Sequence, residues 1–260
     1  MNKTKQSYQP AFYVMMVLYL TLTYSTLGWG EKWAATLYPE DHYFETVGAI
    51  SFFAASAISL FVFMRALNMR DITRIHWIKL LVYSVLAMLF FFGAGEELSW
   101  GQRIFGIQLS PGFAQGNPQQ ELNIHNLEIV EKNPYFNADN IFTVFWMGFA
   151  VAIPFVSLIW KRFKLFAETL TPIVYWGIGI LFLINHWLAK VANLIFLSVY
   201  NNQTISFRQA VQEIKESNYE LLFVFLSVLV LWDLNFLILP KFDLSWLNRA
   251  STTDRTISNV

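Results

Sequence analysis

Two adjacent carboxylates, Glu96 and Glu97, close an apolar segment in the run Gly93-Ala-Gly-Glu-Glu-Leu-Ser-Trp-Gly-Gln-Arg103. Neighbouring carboxyl groups divide the roles of acid and base between them, which suits proton transfer. They also offer hard oxygen ligands to a metal. A second polar run, Glu121-Leu-Asn-Ile-His-Asn126, follows in the next connection. On a helix, Glu121, His125 and Glu128 would share one face through spacings of four and three. Glu and His together suit zinc, manganese or iron. The di-metal helix signature Glu-x-x-His is not matched, because the order here is Glu-x-x-x-His. A third group, Asn185, His186, Lys190 and Asn193, lies in a later apolar segment, with the last three at i, i+4 and i+7.

Together these residues define an expected site. Glu96, Glu97, His125 and His186 are its acids, bases and proton carriers. Glu97, Glu121 and His125 are its metal ligands, for a divalent ion such as zinc. Arg103 and Lys190 would hold a phosphate or carboxylate, with Trp100, Gln102 and Asn126 beside the substrate. Each feature also has a structural reading. Arg103 can pair with Glu96, Lys190 can snorkel to the interface, and His125-Asn126 can be a hydrogen-bonded pair. Glu213, Glu216 and Glu220 share a face and can pair with the basic stripe of the segment before them. Thr21, Tyr24 and Ser25 can line the same cavity or bond back to their own helix. Asp233 and Asn235, matched to Arg65, read as structural.

The elements that must position these groups are membrane spans. The 260 residues are 55% hydrophobic and 14% charged, with a mean hydropathy of +0.41 and a net charge of zero. Soluble domains carry roughly 25% charged residues. There is no cysteine, which excludes disulfides, thiolate ligands, a cysteine nucleophile and a lipobox. A spanning helix needs about 20 apolar residues. Six segments meet or approach that length: Pro10 to Trp29, Thr46 to Met64, Leu80 to Gly95, Asn140 to Trp160, Thr169 to Ala189, and Leu221 to Pro240. The first is too long for a signal-peptide core and reads as a retained span. Of the 18 Lys and Arg residues, 12 fall in one alternate set of connections and 6 in the other. The positive-inside rule then puts both termini in the cytoplasm and residues 30–45, 99–138 and 198–218 outside. In the long outer connection, Asn117-Pro118-Gln119-Gln120 predicts a helix start, with a stop before Asn133-Pro134 near Lys132. Residues 1–250 form a single polytopic domain, an all-α bundle of about six spans with an outward helical loop. Residues 251–260 form a polar tail.

Several motifs are missing. The sequence has no His-Glu-x-x-His, Gly-x-Ser-x-Gly, P-loop or dinucleotide fingerprint. The two polar runs, Gly93 to Gly106 and Glu121 to Asn126, resemble a motif pair of a family of uncharacterised polytopic membrane proteins. That resemblance implies a topology and no particular activity. The polar kit is also similar to the Glu/His/Ser-lined sites of the alkaline ceramidase and adiponectin-receptor superfamily, which implies a zinc-dependent membrane hydrolase. That superfamily has seven spans and a His-x-x-x-His in the last, which this sequence does not share. The expected function is an enzyme of the hydrolase or transferase type acting on a lipid or lipid-linked substrate at the outer face of a bacterial inner membrane. The alternatives are a lipid- or partner-binding subunit of an envelope complex and a proton-coupled carrier. The expected partners are membrane lipids and a membrane protein or second copy of the chain, not nucleic acid.

Overall fold

In the computed structural model, residues 5–29, 37, 43–68, 77–115, 117, 120–124, 127–135, 137–170, 176–199 and 204–233 are described. Among them there is no strand. The long helices are α1 (Lys5–Ser25), α2 (Tyr43–Asn68) and α3 (Trp77–Glu97). After them come the short loop helices α4 (Gln102–Phe105), α5 (Pro111–Gln115) and α6 (Glu128–Glu131). Then follow α7 (Ala138–Ile159), α8 (Lys161–Leu170), α9 (Trp176–Val199) and α10 (Thr204–Asp233). Five helices are long and apolar enough to cross a membrane: 10–29, 43–68, 77–97, 138–159 and 176–195. The chain is an all-α membrane bundle.

The reason is visible on the helix surfaces. Leu18, Leu22, Ile50, Leu81, Met88 and Val144 are all exposed. In water such faces would be costly, whereas in lipid they need no partner, and a helix satisfies its own backbone. Inside, Leu20, Phe52, Phe90, Trp146, Phe182, Tyr219 and Phe223 form one continuous core. Helix α2 packs along α3 and α10, α10 packs along α9, and α9 packs against α7.

Three expectations are corrected. The fifth span does not begin at Thr169. That residue belongs to α8, whose Lys161, Arg162 and Lys164 are exposed while Ala167 is buried. Mixed basic and apolar residues at helical spacing make an interfacial helix, not a span. The outer loop does not form one helix from Asn117 to Lys132. Residues 120–124 are irregular, and among the described residues of that stretch only Glu128–Glu131 is helical. The cause is competition for the backbone, described below. The expected sixth span, from Leu221, falls within α10, which is continuous from Thr204 and is not among the five helices that are long and apolar enough to cross a membrane; its part beyond residue 233 lies outside the described residues. The tail from residue 251 lies outside them as well.

Helix α7 contains a π-helical segment, Met147–Ala152. Such segments free or redirect carbonyls. Here the Ala150 carbonyl faces Gly179 of α9, where an added Cβ would lie 2.5 Å from the oxygen. Gly148, in the same segment, would meet nothing within 4 Å. Gly179→Ala should therefore destabilise the detergent-solubilised protein by roughly 1–3 kcal/mol, the usual cost of overpacking. Gly148→Ala should leave the thermal midpoint unchanged or raise it. Equal midpoints for the two variants would contradict this packing.

Candidate functional site

At the end of α3 the chain reverses through three successive left-handed residues, Ser99 (φ 45°), Trp100 (φ 51°) and Gly101 (φ 75°). For Ser and Trp this conformation costs on the order of 1–2 kcal/mol each. Side-chain contacts hold it in place. The reversal folds the Trp100 indole back over Gly95, where an added Cβ would lie 2.9 Å from the ring. Phe91 and Phe92 meet the same ring edge-on at 6.4 and 5.5 Å. Trp100 Nε1 donates to Glu96 Oε1 at 2.6 Å. The other oxygen, Oε2, accepts from the backbone N–H of Ile124 at 2.7 Å. A carboxylate at a helix C-terminus faces an unfavourable dipole. Glu96 can be buried there because its two oxygens each accept from an N–H group.

The second polar run is held by the same device. Gln102 brackets the strap 120–122: its Nε2 donates to the Gln120 carbonyl at 3.1 Å, and its Oε1 accepts from the Leu122 N–H at 2.5 Å. The buried Asn117 donates to the Glu121 carbonyl, and the buried Asn123 donates to Glu121 Oε2 at 2.7 Å. Gln120 is left-handed, with φ 58°. Side chains thus take the backbone groups that a helix would have needed, so the strap is irregular. The two sequence runs are one interlocked structure.

This geometry reassigns several residues. Glu121, His125 and Glu128 do not share a helix face. Glu121 is buried beneath the strap, while Glu128 is exposed on α6 and paired with Lys132. That pairing holds the Glu128 carboxyl below the ordinary carboxylate range. Its small contribution is therefore present above that range and fades as pH falls through the folded value. His125 and Asn126 lie outside the described residues, and Arg103 is placed in α4. Among the described residues, no three His, Asp or Glu side chains converge to hold a metal ion. The described members of the expected ligand set, Glu97 and Glu121, therefore do not form a zinc site by themselves.

The span-five residues belong to a second cluster. Asn185 is fully buried; its Oδ1 accepts from Tyr24 Oη at 2.9 Å and Asn218 Nδ2 at 3.1 Å, and its Nδ2 donates to the Lys215 carbonyl at 2.9 Å. Asn218 also reaches Thr23 Oγ1 at 3.0 Å. This knot ties α1, α9 and α10 together. Tyr24 therefore bonds across helices, while Thr21 and Ser25 bond back to their own helix. His186 Nδ1 hydrogen-bonds Tyr219 Oη at 3.2 Å, and Trp146 lies beside both rings. Lys190 is exposed, and its positive charge lies within electrostatic reach of His186.

Spacing alone did not single out Glu220. It is 2% exposed, and its Oε2 has no hydrogen-bond partner. Its carboxylate occupies the place where a side chain on Gly48 of α2 would stand. Glu97, at the end of α3, lies within its electrostatic reach, as do Glu45, Glu213 and Glu216. The signal available in the sequence was the Glu213-Glu216-Glu220 face together with a glycine early in the second span. The expected pairing of that face with the basic stripe fails at Glu220.

Glu96→Ala would strand two N–H groups, each costing roughly 1–3 kcal/mol if left unsatisfied. Hydrogen exchange of residues 120–124 should accelerate in Glu96→Ala and in Gln102→Ala while the exchange of α2 stays protected. Unchanged exchange in the strap would refute the clamp.

No family model, no curated protein and no solved structure matches the chain.

Proposed function

We propose that the protein is a membrane-embedded enzyme of the hydrolase or transferase type that acts on a lipid or lipid-linked substrate. The charge bias of the connections supports an extracytoplasmic site in a bacterial inner membrane, with both termini cytoplasmic. The observation that carries the reading is the division of labour between the two adjacent carboxylates. Glu96 has both oxygens committed to the clamp. Glu97 is partly buried, has no hydrogen-bond or ion-pair partner among the described residues, and lies within electrostatic reach of Glu220. Intramembrane carboxylates without a structural partner are functional candidates by default.

In this reading Glu97 is the general base. It takes a proton from water or an acceptor hydroxyl, whose oxygen attacks the substrate. The resulting carboxylic acid returns that proton to the leaving oxygen, so the enzyme ends unchanged. The strap is held beside this carboxylate by its neighbour Glu96 and by Gln102. Trp100 offers an apolar face, partly exposed, against which an acyl chain can lie.

The purified protein should turn over a component of a bacterial lipid extract. Glu97→Gln should lower the rate by about 10²–10⁴-fold, the usual contribution of a general base, without moving the thermal midpoint. Full activity in Glu97→Gln would end this assignment. A second reading, a lipid- or partner-binding subunit, is favoured by Ile104, Phe105 and Ile129, which are exposed on the loop helices. It predicts no lipid turnover by the wild type and a change in oligomeric mass on Phe105→Ser.

A further inference from the structure

We propose that the Glu97–Glu220 pair beside Gly48 binds a primary ammonium group, and that the physiological ligand is the headgroup of an aminophospholipid. The proposal rests on the reading of this end of the bundle as a lipid-handling site and names the class of lipid.

The argument starts from unsatisfied acceptors. A carboxylate accepts hydrogen bonds at both oxygens and donates none. Glu220 Oε2 is buried with no partner, and Glu97 has none among the described residues. Nothing in α2 can donate at Gly48, which has no side chain. The absence of a Cβ there makes the space that the Glu220 carboxylate fills. Glu45, Glu213 and Glu216 have interactions of their own, yet their charges add to the negative field at Glu97 and Glu220. Lys215, the nearest described cation on α10, donates to Gln212 at 2.5 Å and not to this pair.

A group that satisfies these acceptors needs positive charge and several donors. A primary ammonium has three N–H donors and no acceptor. A metal ion would need a third ligating side chain, and no such trio converges among the described residues. A quaternary ammonium carries the charge without the donors. Depth points to a lipid source. Glu97 is the last residue of an apolar span, which places its carboxylate where headgroups begin. Because Glu97 is only partly buried, a headgroup can approach from the side of α3.

The test uses the full-length protein in nanodiscs of phosphatidylglycerol into which phosphatidylethanolamine, phosphatidylcholine or neither is introduced. Bound lipid is counted by native mass spectrometry after release. Retention of phosphatidylethanolamine should exceed that of phosphatidylcholine. It should fall about tenfold or more in Glu220→Gln and in Gly48→Ala, as expected for loss of one charge-assisted hydrogen bond. Glu168→Gln on α8 should retain it fully. Soluble ethanolamine, added in detergent, separates the two sources. If it protects against thermal unfolding as well as the lipid does, the ammonium site stands but the lipid assignment falls. Equal retention of the two zwitterionic lipids would overturn the proposal. So would stabilisation by magnesium or calcium alone that is lost in Glu220→Gln. The thermal midpoints of Glu220→Gln and Gly48→Ala, measured in the same nanodiscs, should stay at the wild-type value, which separates loss of the site from misfolding. Ammonium binding without turnover would sink the enzyme reading and leave this one intact, whereas turnover of a lipid lacking an amine would do the reverse.

Discussion

Glu96 brings both oxygens of one carboxylate to N–H groups that would otherwise be stranded where α3 meets the loop. That single side chain solves two problems at once. It stabilises a reversal through Ser99, Trp100 and Gly101 that the backbone alone would resist. It also pins Ile124, and with it the strap, to the mouth of the bundle. Gln102 can bracket residues 120–122 only because the reversal presents it there. Once Glu96 is committed in this way, its neighbour projects differently. Successive residues on a helix lie about 100° apart, so Glu97 leaves the clamp to its neighbour and stands within electrostatic reach of Glu45 on α2 and of Glu213 and Glu216 on α10.

Two polar structures are therefore built at the same end of the bundle. One is the clamp between α3 and the loop. The other is the knot of Tyr24, Asn185 and Asn218 that joins α1, α9 and α10. The knot is satisfied internally, as polar groups surrounded by lipid-facing helices must be. The clamp is satisfied at Glu96, but Asn117 Oδ1 and Asn123 Oδ1 are buried without a hydrogen-bond partner. Glu220 belongs to neither structure, and among the described residues it is the one carboxylate with a buried oxygen that bonds to nothing. A buried acceptor left open is expensive, and a carboxylate oxygen most of all, which is why the proposed ammonium site is centred on it.

Much of this was legible in the sequence. Long apolar runs announced five of the spans, and the third proved to reach from Trp77 through the two carboxylates themselves. The two polar runs stood out in the sequence, and in the fold they meet. How they meet was not legible. The cap signal at Asn117 predicted a helix because local rules see Asn-Pro-Gln-Gln and cannot see Gln102, eighteen residues away from Gln120, taking the backbone groups. The i, i+4, i+7 stripe on α9 suggested that His186 and Lys190 act together. Tertiary packing separates them: His186 turns inward to Tyr219, and Lys190 outward. Glu220 was hidden for a related reason. Three acids on a face usually read as solvated, and only the approach of α2 at Gly48 buries the last of them.

The central claim is that Glu97 of α3 and Glu220 of α10 share one site. The chain has no cysteine, so introduced pairs report cleanly. Cysteines placed at Glu97 and Glu220 in the membrane-embedded protein should be joined rapidly by a short bifunctional thiol reagent, whereas a Glu97–Lys190 pair should not. Failure of the first pair to crosslink while the second succeeds would contradict the account.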